Sequence, residues 1–119
     1  MMSEKILIVE DNPLNMKLMS DILESQGYSV VKAEDGEEAL LIIEQEDLDL
    51  ILLDLQLPKK SGYQVLKEMQ KNIPTMVVSA CCMEEEISKA KTKGCLEFIT
   101  KPINVAEFLS KINSFFKKN

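Results

Sequence analysis

Leu48-Asp49-Leu50-Ile51-Leu52-Leu53-Asp54-Leu55-Gln56-Leu57-Pro58 is the stretch whose reading decides the fold. From Leu50 to Leu53 it offers water no polar face, the pattern of a strand buried on both sides in a parallel sheet covered by helices. Asp54 ends the apolar run, and an ionised carboxylate is costly inside a sheet. It is therefore expected where the strand opens at its carboxyl end. Ligands of open α/β sheets bind outside those ends, so what matters is which other groups converge on Asp54.

Working outward from that strand, the same grammar repeats. Lys5-Ile6-Leu7-Ile8-Val9-Glu10 is a short apolar run that stops at acid. Asn12-Pro13 supplies a helix cap and a proline at the first helical position, and Leu14, Leu18, Ile22 and Leu23 give an expected inner face as far as Gln26-Gly27. Residues 28–33 predict a short second strand. Asp35 with Glu38 predicts a capping box for a helix faced by Ala39, Leu40 and Ile43. Beyond Pro58, Ser61-x-x-Gln64 caps a helix whose Val65, Leu66 and Met69 point inward. Thr75 to Ser79 is a fourth strand. Met83 to Lys93 predicts a helix with acids in its first turn and lysines in its last, weakly held because its inner stripe is only Met83, Ile87 and Ala90. Leu96 to Thr100 reads as a fifth strand, followed by Lys101-Pro102. Asn104-x-x-Glu107 then caps a last helix carrying Val105, Phe108, Leu109, Ile112, Phe115 and Phe116.

The result is a (βα)5 pattern filling residues 1–119 as one domain, and right-handed crossovers fold such a pattern into a three-layer α/β sandwich. All carboxyl ends of the strands then share one edge. Glu10, Asp11, Asp54, Ser79 and Lys101 are expected to meet there. Three carboxylates so close repel one another, and at least one holds a proton unless positive charge is supplied. Lys101 supplies part. A hard divalent cation would supply the rest, and magnesium suits an all-oxygen donor set.

Composition narrows the function class. A formal charge of −6 and the absence of a basic stripe argue against nucleic acid or an anionic membrane as partner. No apolar run is long enough to span a bilayer and no signal peptide is evident, so a cytoplasmic protein is expected. The three cysteines read as reduced thiols, and adjacent Cys81 and Cys82 as small buried residues rather than metal ligands. The absence of histidine removes Ser-His-Asp and Cys-His catalysis.

These residues resemble the receiver domain of bacterial two-component response regulators over essentially the whole chain. The resemblance is carried by Ile8-Val9-Glu10-Asp11-Asn12-Pro13, Leu52-Leu53-Asp54-Leu55-Gln56-Leu57-Pro58, Ser79-Ala80 and Phe98-Ile99-Thr100-Lys101-Pro102, in that order and at the ends of the right strands. It looks closest to single-domain cell-cycle regulators and to the receivers of hybrid histidine kinases. It implies a flavodoxin-like sheet in the order 2-1-3-4-5 and a switch, not a stand-alone enzyme. Asp54 would accept a phosphoryl group from a phosphohistidine on a sensor histidine kinase or histidine phosphotransfer protein. By the same resemblance Asp11, Asp54 and the Gln56 backbone carbonyl would bind Mg2+, with Glu10 acting through a metal-bound water. Lys101 and Ser79 would contact phosphoryl oxygens. Ser79 and Phe98 would switch the surface of the fourth helix, fifth strand and fifth helix, where a downstream protein would bind.

Plainer readings stand beside these. Asp54 alone is a strand-end cap, Lys101 a salt-bridge partner, and Phe98 ordinary core. Gln56 and Cys81 are candidates for controlling water at an acyl phosphate. Glu10 stands where aspartate is more frequent, Ser61 where an acid is, and the span from Asp54 to Ser79 is shorter than the resemblance leads one to expect, with the deficit placed in the third helix or the loop before Pro74. Three other classes compete: a pseudo-receiver acting as a constitutive binding module, an aspartyl phosphohydrolase, and a flavin carrier. The phosphohydrolase is disfavoured because it places its nucleophile after the first strand with an acid two residues on, where this chain has Gln56 after Asp54. The flavin carrier is disfavoured by the acidic first loop.

Overall fold

The computed structural model describes residues 3–80 and 84–118. Five strands alternate with five helices: β1 (Lys5–Val9), α1 (Pro13–Ser25), β2 (Ser29–Ala33), α2 (Gly36–Gln45), β3 (Leu50–Leu53), α3 (Gly62–Glu68), β4 (Thr75–Ser79), α4 (Glu84–Thr92), β5 (Glu97–Thr100) and α5 (Val105–Phe115). The strands form one parallel sheet in the order β2-β1-β3-β4-β5, as the resemblance implies. The central strand is buried at all four positions because both faces of the sheet are covered.

Alternation along the strands divides the core in two. Ile6, Ile8, Leu50, Leu52, Met76 and Val78 face α1 and α5, where Met19, Leu23, Phe108 and Ile112 meet them. Leu7, Val9, Ile51 and Leu53 face the other way, against Ala39 and Ile43 of α2 and Val65 and Leu66 of α3. A smaller cluster of Leu55, Val77, Ala90, Cys95 and Phe98 lies under α4. Only Ala90 of α4 is fully buried, with Ile87 packed beside it, so this helix has the thin stripe its sequence predicts. Burial also pushes the Cys95 thiol up. Cys81, Cys82 and Met83, expected from sequence to be buried or inward, lie outside the described residues.

Several expectations need correction. Leu14 is 79% exposed and Leu18 39% exposed; the buried face of α1 is Met16, Met19, Ser20 and Leu23. The Asn12 side chain caps the helix start, accepting from the amides of Leu14 and Asn15, and the face turned inward is the one whose Met16, Met19 and Leu23 share a core with Ile6 and Ile8 of the sheet. Val105 and Leu96 are likewise exposed, and β5 begins one residue later, at Glu97. Glu38 does not close a box onto its own cap. The Asp35 side chain accepts from the Glu38 amide, but the Glu38 carboxylate accepts from the amide of Glu34, one residue outside. The Ser61–Gln64 box is complete.

Candidate functional site

The ladder of the sheet builds the site. It continues one residue past each strand: the Glu10 amide donates to Ala33 O at 3.0 Å, the Asp54 amide to Val9 O at 3.1 Å, and the Lys101 amide to Ser79 O at 3.0 Å. Register pairs Val9 with Leu53, so Glu10 and Asp54 leave the sheet side by side. Lys101 starts beyond β5, two strands from Asp54, a separation of about 10 Å. A long side chain is required to cross β4, and lysine has one.

Lys101 reaches both acids. Its Nζ lies 2.7 Å from Asp54 Oδ2 and 2.6 Å from Glu10 Oε1. The Asp54 contact is a hydrogen bond. The Glu10 contact is close but poorly directed, which leaves Oε1 buried without a satisfied hydrogen bond, while Oε2 accepts from the Asn12 amide at 3.0 Å. The second Asp54 oxygen, Oδ1, accepts from the Gln56 amide at 3.0 Å. Asp54 is 5% exposed, so it is more enclosed than a strand end opening freely to water.

Electrostatics follow from that enclosure. Burial pushes the Glu10 carboxyl above its ordinary range, and neighbouring Asp54 adds to the rise; Lys101 and the Asn12 amide oppose it without cancelling it. For Lys101, burial pulls the other way, but the Asp54 hydrogen bond, the close Glu10 contact and the charges of both acids outweigh it and leave the ammonium held above its usual value. One cation is thus shared between two buried acids. Asp11 stands exposed at the rim, and Glu10, Asp11 and Asp54 each offer an oxygen within 4.8 Å of the others. An all-oxygen set with one poorly satisfied buried carboxylate oxygen fits a hard divalent cation.

These groups line a cleft of about 560 Å3 with Asn12, Pro13, Asn15, Gln56 and Ala80. Of the residues singled out from sequence, Glu10, Asp11, Asp54, Gln56 and Lys101 come together. Ser79 is fully buried at the end of β4, behind the cleft lining, with its carbonyl under Lys101. Phe98 lies apart from the cleft. It is buried in the cluster beneath α4 beside Tyr63 and Ile87, and its carbonyl accepts from Lys111.

Two glycines not among the sequence-predicted site residues, Gly36 and Gly62, hold the loop after Asp54. A Cβ on Gly62 would stand 2.4 Å from Asp54 O and 2.7 Å from Leu55 Cα, so only glycine lets α3 start against the Asp54 backbone. A Cβ on Gly36 would stand 2.1 Å from Lys60 O, so the start of α2 clamps the same loop from its other side. Both glycines begin helices where glycine is a poor helix former, and that mismatch was the available signal. Tyr63, next to Gly62, reaches across to α4, where its hydroxyl bonds Glu86 and its ring lies 4.3 Å under the Lys89 ammonium.

Residues 6–113 match the sequence model of the response regulator receiver domain. The chain is 40% identical over 119 residues to the polar-differentiation response regulator DivK of Brucella ovis, covering 96% of this chain and 97% of that one. Among solved structures, it is similar to a chain of the CheX-CheY-BeF3-Mg complex of Borrelia burgdorferi, with TM-score 0.89, 31% identity, and 95% and 89% of the two chains covered. It is also similar to the receiver domain of the sensor histidine kinase PA1611 from Pseudomonas aeruginosa, which has magnesium coordinated in its active site cleft. There the TM-score is 0.86 and the identity 27%, over 98% of this chain and all of the other.

Proposed function

The chain belongs to the response regulator receiver domain family, and from that premise we propose that residues 1–119 form one phosphorylatable signalling switch with Asp54 as its phosphoacceptor. The observation that carries this reading is Lys101 bridging Asp54 and Glu10 beside Asp11 in a cleft at the sheet edge. Paired charges of this kind, buried in a cleft, are a functional signature.

An Asp54 carboxylate oxygen would attack the phosphorus of a phosphohistidine. The new O–P bond gives an acyl phosphate as the P–N bond breaks, and the imidazole departs with the bonding pair and takes up a proton. Each carboxylate oxygen has two acceptor sites, so the bonds from Gln56 and Lys101 orient Asp54 without blocking attack. Lys101 is already close enough to follow charge from Asp54 onto the phosphoryl oxygens. Asp11, Asp54 and the Gln56 carbonyl, with Glu10 behind them, are the groups that would hold Mg2+, which supplies neutralisation of the transferring group's charge. The Ser79 hydroxyl would donate to a phosphoryl oxygen, and Phe98 would transmit the change.

Phe98 is inward in this structure and shares its cluster with thinly anchored α4. This supports a movable α4–β5–α5 face as the surface read by a downstream protein. The donor would be a sensor histidine kinase or a histidine phosphotransfer protein. The chain's only chemistry would be on itself, in the cytoplasm. Among the described residues no helix is long and apolar enough to cross a membrane.

Intact-protein mass after incubation with acetyl phosphate and Mg2+ tests the proposal. One phosphoryl group should be gained, and lost in Asp54→Asn or with a chelator. No gain, under conditions that label a known receiver, would replace the switch with a constitutive binding module.

A further inference from the structure

A second concave surface lies away from the phosphorylation cleft and shares no residue with it. Helices α2 and α3 start at the same edge of the sheet, where the Gly36 amide faces Pro58 O, but α2 has ten residues and α3 only seven. At 1.5 Å per residue that is about 15 Å against about 10.5 Å. The end of α2 therefore runs past the end of α3. The short span between Asp54 and Ser79, noted in the sequence, is where this gap arises. A groove of about 410 Å3 lies between the two helices, with Leu40, Leu41 and Met69 along it and buried Ile43 beneath. Leu41 is 58% exposed. The Lys60–Glu68 ion pair, at 2.6 Å, also lines the groove.

The charge around it is one-sided. Glu37 and Glu44 lie two turns apart on α2, both line the groove, and neither forms an ion pair among the described residues. Glu68 is committed to Lys60. We propose that this groove docks a basic segment of a partner protein, with a leucine- or methionine-sized side chain against Leu41, Leu40 and Met69 and lysine or arginine opposite Glu37 and Glu44. A second copy of the chain is the poorer occupant. Each copy carries a formal charge of −6, and the exposed leucines of α1 flank Lys17, whose charge is already paired with Asp21. The inference is independent of phosphorylation at Asp54.

The probe is an amphipathic leucine–lysine helical peptide of roughly 14 residues, with the same peptide carrying glutamate for lysine as control, titrated into the 15N-labelled chain. Amide shifts should centre on α2 and residues 68–70. Leu41→Lys, at an exposed position, should weaken binding roughly tenfold or more by removing the anchor and adding like charge. Glu37→Gln with Glu44→Gln should weaken it as well, and Leu14→Lys should leave it unchanged. The proposal is overturned if shifts centre on the Asp54 cleft or α1, if the glutamate peptide binds equally, or if Leu41→Lys binds as the parent does. It is also overturned if the parent chain self-associates in sedimentation through Leu41 and takes no peptide.

Discussion

Lys101 serves two acids with one charge, and its removal exposes the consequence. Replacing it by methionine keeps much of the stem but leaves Glu10 and Asp54, both nearly buried, facing each other without their shared cation. Breaking a buried ion pair from one side costs about 3–5 kcal/mol. Lys101→Met should therefore lower the urea unfolding free energy by about 3 kcal/mol in the presence of a chelator, and added Mg2+ should restore part of it. Equal stability in chelator would mean that the acids are relieved by protonation or water instead. Asp54, Glu10, Asp11 and Lys101 were legible in the sequence because each follows an apolar run, and charge at a strand end has few structural uses. The Lys101–Glu10 contact was not legible. It depends on Lys101 crossing β4 and still having reach beyond Asp54, a matter of sheet geometry and not of spacing along the chain.

At the level of the element, α1 shows what an amphipathic pattern leaves open. Leu14, Leu18 and Ile22 form one apolar stripe, and Met16, Met19 and Leu23 another, and periodicity alone does not say which is turned inward. The choice is a matter of tertiary packing: Met16, Met19 and Leu23 share one core with Ile6, Ile8 and Phe108, and Leu14 is left exposed. Truncation separates the two stripes from the core. Leu14→Ala should change stability by less than about 0.5 kcal/mol, whereas Phe108→Ala on α5, at a fully buried position facing the sheet, should cost about 3–5 kcal/mol. Equilibrium denaturation of the two variants checks both, and a large loss at Leu14 would mean that α1 is rotated. Capping signals at Asn12, Ser61 and Asn104 placed helix starts correctly because the sequence itself contains both members of each bond. The reach of Glu38 to Glu34 was hidden because it depends on the backbone path ahead of α2.

Across the whole molecule, the strand order was readable only through the resemblance, since a (βα)5 pattern alone fixes neither which strand is central nor how the ends meet. One such long-range contact is Lys118 with Glu4 at 2.7 Å, joining the residue ahead of β1 to the turn after α5, with Lys118 also over the Tyr28 ring. The Lys118 hydrogen bond holds the Glu4 carboxyl below its ordinary value. A lowered acid contributes stability above its unfolded value, near 4.5, and loses it as pH falls through the folded one. Amide exchange at the C-terminal turn of α5 should therefore quicken, relative to the centre of α5, below about pH 4.5, and Glu4→Gln should remove the pH dependence. An unchanged ratio would mean that the aromatic contact alone holds that end. The pair is partly exposed, so its effect should be local.

The central claim is that the sheet edge delivers one nucleophile, and its most direct test is to locate the phosphoryl group. The chain is treated with acetyl phosphate and Mg2+, reduced with borohydride so that an acyl phosphate is converted to a stable alcohol, digested, and mapped by mass. Conversion at Asp54 alone is the predicted result; conversion at Glu10 or Asp11, or a phosphoryl group resistant to hydroxylamine on Ser79, would contradict it.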